Sequence, residues 1–356
     1  MVTGYLRRAY TSFTAHVFDI PPRRLALLMT LLFLALPATG LNLYILTVLT
    51  SASLIAIFAA SWDLLVGRCG LMSLGHALFF GVGGYSTALL FEHYGLPVWV
   101  TIPIAILIGT SVGFLIGFPC LKFRGPYLAL VTMSFPIIIN SLLYFFDEIF
   151  HGELGVRGLP SFFPFLPTNQ KIIVEYYFTF ALLFISAVTL YKIANSHTGI
   201  VFLSILDDEL AAKASGINVT KYKLMAFAIS GLFASLVGAV QAHILSLANP
   251  PMFGLTLSFA PVIVTFLGGI GTIYGPILGA YIYLVLDRYV FMVLVKIPYE
   301  LIYLKLLVFI LIVTILILKW PRGLGRFVTD KLQDAEEARD IDERGPKIWK
   351  TYKKKK

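Results

Sequence analysis

The sequence predicts an all-α polytopic membrane protein of about ten transmembrane helices, and three observations carry that expectation. First, 58% of the 356 residues are hydrophobic, only 13% are charged and the mean hydropathy is +0.85, which is too apolar for a soluble domain of this length. Second, apolar runs approaching the ~20 residues that cross a bilayer recur along the whole chain. Third, basic residues concentrate in alternate connections between those runs, as in a multi-pass protein whose basic loops face the cytoplasm.

Residues 1–23 carry Arg7, Arg8 and Arg23, with Arg24 next in line, and read as a cytoplasmic N-terminal segment. Spans then fall near 24–39, 43–66, 72–91, 98–120, 126–146, 174–193, 222–246, 257–270, 274–294 and 300–319. Arg68 follows the second span, Lys122 and Arg124 the fourth, Lys192 through Lys223 the sixth, and Lys319, Arg322 and Arg326 the tenth. The opposite connections are poor in base or rich in acid, with Glu92 and His93 in one and Asp147, Glu148, Glu153 and Glu175 in another. This parity sets both termini in the cytoplasm. The run 257–270 is short for a crossing at about 14 residues and reads as a tilted or re-entrant segment. Arg23 and Arg24 before apolar Leu25–Leu36 imitate a secretion signal, but no small-residue cleavage pattern leads into a soluble domain, so this is a retained first span. The transmembrane domain therefore covers 24–326. Residues 327–356 form a charged cytoplasmic tail that ends in Lys353–Lys356.

Two glycine clusters interrupt the spans, one in each half of the chain. Gly70, Gly75, Gly81, Gly83 and Gly84 form the first; Gly268, Gly269, Gly271, Gly275, Pro276 and Gly279 form the second. Small residues pack helices in every membrane protein, yet paired interrupted segments in two halves also point to a substrate pathway. The candidate pathway residues are Ser73, Gly75, His76, Gly83, Gly268, Gly269 and Gly271. An ionisable group at the depth of His76 faces either a cavity or a partner, and in a broken segment it serves equally to bond freed backbone carbonyls. Both readings stand. Ser73, about one turn before it, would share its helical face. Asp63 reads as a partner of Arg68 that orients the end of a span. Asn140, Gln241, His243 and Asn249 are further polar candidates, with Asn249-Pro250-Pro251 an external turn.

Between Ser196 and Lys223 the chain breaks into a charged insert, a cytoplasmic loop at 196–223. Asp207 is placed to cap a short helix, and Asp208 and Glu209 sit where a helix N-terminus favours negative charge. Glu209 and Lys213 form an i,i+4 pair, Gly216 supplies a left-handed stop, and Asn218 or Thr220 starts the next helix. Ala211, Ala212 and Ala214 keep the surface low. On pattern alone an ordinary solvated loop is the usual reading of such a charge cluster.

Several chemistries are absent. No G-x-x-x-x-G-K-[ST] phosphate loop occurs, nor does an H-E-x-x-H helix or a Ser-His-Asp grouping, so no catalytic residue, bound metal or cofactor is expected in this chain. Cys69 and Cys120 fall at predicted cytoplasmic span ends and imply neither a disulfide nor a zinc site. The net charge of +9 belongs to the basic loops rather than to a nucleic-acid face.

Glu209–Ile217, E-L-A-A-K-A-S-G-I, resembles the "EAA" loop of the membrane subunits of bacterial ABC importers. The longer stretch Asp207–Phe227 is similar to the LivM-like permeases of branched-chain amino acid importers, within the broader LivH, LivM and urea-amide permease family. Gly70–Tyr85, Leu121–Thr132, Phe266–Ala280 and Trp320–Leu324 resemble the same family in the same order, so the likeness covers roughly residues 25–326. It implies that Asp207, Asp208, Glu209, Ala211, Ala212 and Gly216 form a cytoplasmic coupling helix. It also implies a second homologous permease subunit, two cytoplasmic ATPase subunits that hold the ATP and Mg, and an extracytoplasmic substrate-binding protein. The setting would be a bacterial or archaeal plasma (inner) membrane. Branched-chain or similar small amino acids are the implied substrates, with urea and short-chain amides the alternative. An ion-gradient-driven secondary transporter is the rival of a different class; it needs intramembrane carboxylates, and apart from Asp63 and Asp287 the spans hold almost none.

Overall fold

The computed structural model describes residues 42–294 and a few isolated positions on either side. The expected N-terminal segment 1–23, the first span 24–39, most of the tenth span 300–319 and the tail 327–356 lie outside the described residues.

The described chain is a bundle of helices. Helix α1 (Leu43–Asp63) runs on through a π turn at Leu64–Arg68; α2 is His76–Tyr94, α3 Val98–Cys120 and α4 Pro126–Phe145. A single turn, α5 (Asp147–Phe150), leads into strand β1 (Val156–Arg157) and then α6 (Thr168–Ala194). Helices α7 (His197–Asp207) and α8 (Glu209–Ala214) precede α9 (Val219–Leu245) and strand β2 (Leu247–Ala248). A 3₁₀ turn at Pro250–Phe253 opens α10 (Leu255–Gly268), and α11 (Tyr274–Leu294) closes the described region. Among the described residues, five helices are long and apolar enough to cross a membrane: Leu43–Arg68, Val98–Cys120, Pro126–Phe145, Thr168–Ala194 and Val219–Leu245. The chain is an all-α, multi-pass membrane protein.

The boundaries depart from expectation where backbone geometry overrides hydropathy. The run at 72–75 is apolar but not helical, so α2 starts at His76. Pro167, with φ −56°, opens α6 at Thr168, six residues earlier than the hydropathy suggested. The insert 196–223 contains a helix that its charges concealed: His197–Asp207 places Val201, Phe202 and Ile205 in the core.

Helix α9 sits at the centre. In lipid no hydrophobic force drives helices together, so close backbone approach and dispersion do that work. Gly109, Gly113 and Gly117 recur every fourth residue down α3 and are all buried. A Cβ on Gly113 would lie 2.8 Å from the Phe227 carbonyl oxygen, and one on Gly109 would overlap the Ser235 side chain. On α2, Gly83 meets the Ser235 backbone and Gly84 lies close to Gly238. Helix α9 is thus gripped along one flank by α3, running antiparallel to it, and along another by α2, running parallel. Ser53 on α1 meets Tyr281 on α11 at 2.8 Å, and Asp63 at the end of α1 meets Gly271 in the turn before α11 at 2.7 Å, which makes that pair antiparallel.

Charge separates the two ends of the bundle. Arg124, Glu209 and Lys223 meet at the end that also carries Arg68 and Lys122. At the other end the His151 ring bonds Glu92 at 2.7 Å, and Val156 and Arg157 pair antiparallel with Ala248 and Leu247.

Candidate functional site

At the basic end α8 is a six-residue helix held by its flanks, since one so short has no stability of its own. Asp208, in extended conformation, accepts hydrogen bonds through Oδ1 from Leu210 N at 2.8 Å and Ala211 N at 3.0 Å. The cap is therefore Asp208 and not Asp207, because Asp207 is taken up as the last residue of α7. Gly216, at φ +83°, turns the chain out of the helix, and the Gly216 and Ile217 amides close onto the Lys213 and Ala212 carbonyls at 3.1 and 3.2 Å. Asn218 Oδ1 accepts from Lys221 N at 3.1 Å and starts α9, as expected. Ala212 faces inward and is 4% exposed, whereas Leu210 is 65% exposed and Ala211 is open beside it.

The expected Glu209–Lys213 pair is not formed. Glu209 Oε2 instead lies 2.8 Å from Lys223 Nζ, and Oε1 lies 3.6 Å from Arg124 Nη2. The physical reason is burial. The Lys223 side chain is 6% exposed, and a buried ammonium needs a carboxylate, while exposed Lys213 is satisfied by water. Beside this pair a cavity of about 230 Å³ is walled by Cys69, Gly70, Leu71, Leu206, Glu209 and Lys223. Both cysteines are free and buried, and burial pushes the Cys69 thiol up to about 12, so it is an inert packing group.

The two glycine-rich breaks are linked through the end of the first helix, where Gly67 lies against Gly271. After the π turn, residues 69–75 are non-helical. Trp62 Nε1 donates to the Ser73 carbonyl at 2.7 Å, Leu74 N donates to Thr132 Oγ1 at 3.0 Å, and a Cβ on Gly75 would fall on the Thr132 carbonyl. Because Ser73 precedes the helix, it does not share a helical face with His76. Gly269 and Gly271 have φ of +119° and +78° in the turn between α10 and α11, and Thr272 Oγ1 donates to the Gly269 carbonyl at 2.7 Å. Gly268 packs against the Gly275 carbonyl, and Gly323 packs against the Gly269 backbone.

Asp63 joins the two regions. Its Oδ1 accepts from Gly271 N at 2.7 Å, and Arg68, its expected partner, acts on it through charge without a direct ion pair. A freed amide inside the bilayer requires an acceptor, and a carboxylate is a strong one.

His76 is fully buried at the first turn of α2. Its Nε2 lies 3.0 Å from Ser61 Oγ, and its ring packs 4.7 Å from Phe58 and 5.8 Å from Phe79. Gly83 likewise lies inside the continuous helix α2, against α9.

One polar cluster was not assembled from the sequence. His243 Nδ1 lies 2.8 Å from the Pro160 carbonyl, which only accepts, so Nδ1 donates. Its Nε2 lies 2.8 Å from the Thr87 hydroxyl, which donates to Thr101 Oγ1 at 2.7 Å. The histidine was visible as a polar residue on a span, but its partners lie on three other segments.

A family model described as the branched-chain amino acid transport system permease component matches residues 44–316. The high-affinity branched-chain amino acid transport system permease protein LivM of Salmonella typhimurium is 30% identical over 262 residues, covering 67% of this chain and 61% of that protein. Its Escherichia coli counterpart is 31% identical over 249 residues, covering 64% and 58%. The ribose import permease protein RbsC of Haemophilus influenzae is 26% identical over 247 residues, covering 67% and 74%. The matched part of the chain thus spans only 61% and 58% of the two LivM proteins' length. No solved structure matches the chain.

Proposed function

This chain belongs to the family of branched-chain amino acid transport permease components, and from that premise we propose that it is the membrane-spanning subunit of an ATP-binding cassette importer. Helix α8 is its coupling helix, at the cytoplasmic face. The single observation that carries this reading is the construction of α8: a short helix capped by Asp208, stopped by Gly216, and presenting Leu210 and Ala211 outward at the basic end of the bundle. A solvated loop has no use for that much fixation.

The chain has about ten spans with both termini cytoplasmic, in a bacterial or archaeal inner membrane. It pairs with a second homologous permease subunit. Two cytoplasmic ATPase subunits hold the ATP and Mg, consistent with a sequence that has no phosphate loop of its own. An extracytoplasmic binding protein delivers a branched-chain or similarly small amino acid. Closure of the ATPases moves α8, and the two permeases rock to open the pathway first outward and then inward. Ser73, Gly75, Gly268, Gly269 and Gly271 form the paired breaks along that pathway, joined through Asp63, while His76 and Gly83 hold helices together beside it. A pathway with so few buried charges also suits urea or a short-chain amide.

Reconstitution in vesicles tests the proposal. Leucine uptake is expected only when ATP and the ATPase subunits are present, and uptake by this chain alone under an ion gradient would overturn it in favour of a secondary transporter. Competition between leucine and urea separates the two substrate classes.

A further inference from the structure

The resemblance assigns Glu209 to the coupling surface, yet its carboxylate is turned inward. Both oxygens are engaged within this chain, one by Lys223 at 2.8 Å and the other by Arg124 at 3.6 Å. The two arms differ. Lys223 is 6% exposed, so its charge is tolerated in the core only with a carboxylate in direct contact. Arg124 is 67% exposed and its arm is the weak, solvent-screened one. The residues that α8 offers to the outside are Leu210, Ala211, Lys213 and Ala214, and the large apolar one among them is Leu210.

We propose that Glu209 is a positioning residue rather than a contact for the ATPase: the Arg124–Glu209–Lys223 strut fastens α8 to the loop after α3 and to the second turn of α9, and the partner reads Leu210 and Ala211. This rests on the importer reading above. Its mechanical consequence follows from where Lys223 sits. Helix α9 is the one held by glycine contacts to both α2 and α3, so a push received on Leu210 passes through the strut directly into the centre of the bundle. A helix of six residues cannot transmit force unless something outside it fixes its orientation. Asp208 fixes its start, Gly216 its end and buried Ala212 its inner face; Glu209 supplies the remaining lateral tie.

A charge swap on the full-length chain tests this with two independent readouts. Amide exchange of residues 209–214 is expected to accelerate roughly tenfold in Glu209→Lys and in Lys223→Glu, and to return near the wild-type rate in the double variant, because only the ion pair is restored there. Glu209→Gln covers the case in which a charge reversal fails to fold, with a smaller acceleration expected. ATP-dependent uptake is expected to fall and recover in step. Leu210→Glu is expected to abolish co-purification of the ATPase without changing α8 exchange in the isolated chain. The proposal is overturned if the double variant recovers neither readout. It is also overturned if Glu209→Lys loses the ATPase while α8 exchange stays at the wild-type rate. Should wild-type vesicles show no ATP-dependent uptake, the importer reading falls, and the exchange data still decide the strut.

Discussion

A histidine in a membrane span invites a role in transport, and His76 shows how its surroundings decide between roles. Ser61, Phe58 and Phe79 enclose the ring, so removing it opens a cavity, while the Ser61 hydroxyl keeps its bond to the Phe58 carbonyl. His76→Ala is therefore expected to cost about 2–3 kcal/mol of stability. Uptake should fall only as far as the folded fraction falls. Thermal unfolding in detergent, together with uptake normalised to folded protein, measures both. A selective loss of uptake at an unchanged Tm would return His76 to the pathway. The position of His76 was legible in the sequence, since a lone ionisable group in an apolar run stands out. Its enclosure was not legible, because Ser61 and Phe58 belong to the preceding helix and pack against it through a non-helical turn that no periodicity announces. Asp63 repeats the lesson, as its partner Gly271 lies 208 residues away.

At the scale of elements, α8 was read correctly as a helix stopped at Gly216 but was misplaced at its start. Asp207 and Asp208 look interchangeable as caps. Only the helix Val201, Phe202 and Ile205 build in front of them assigns Asp207 to one helix and Asp208 to the next. Asp208→Ala is accordingly expected to weaken α8 by about 1 kcal/mol, a roughly fivefold faster amide exchange over 209–214, whereas Asp207→Ala leaves it unchanged. Equal effects would show that the caps are shared. Gly216→Val places a β-branched residue at φ +83° and is expected to cost about 1–2 kcal/mol, again read by exchange of α8. The α3 stripe was within reach of sequence reasoning: Gly109, Gly113 and Gly117 recur at the spacing that lines one helix face. Gly113→Leu is expected to separate α3 from α9 and lower Tm by several degrees, and an unchanged Tm would mean that α9 has room to move.

At the scale of the whole molecule, charge organises what hydropathy alone leaves symmetrical. The basic connections converge on the end that carries α8, and Glu92 and His151 hold the opposite end. That alternation was legible because each basic residue lies within a few positions of a span end, where it biases insertion directly. An importer subunit requires the basic end to face the ATPases, and labelling can read this without any transport assay. The native cysteines are suited to it: Cys69 and Cys120 are 2% and 1% exposed, so an impermeant thiol reagent finds little background. A cysteine replacing Phe165, which is 97% exposed on the connection between α5 and α6, is expected to react in intact cells. One replacing exposed Ser215, just after α8, is expected to react only once the membrane is opened. The reverse pattern would put α8 outside, beyond the reach of any cytoplasmic ATPase, and would remove the coupling role however well the helix is built.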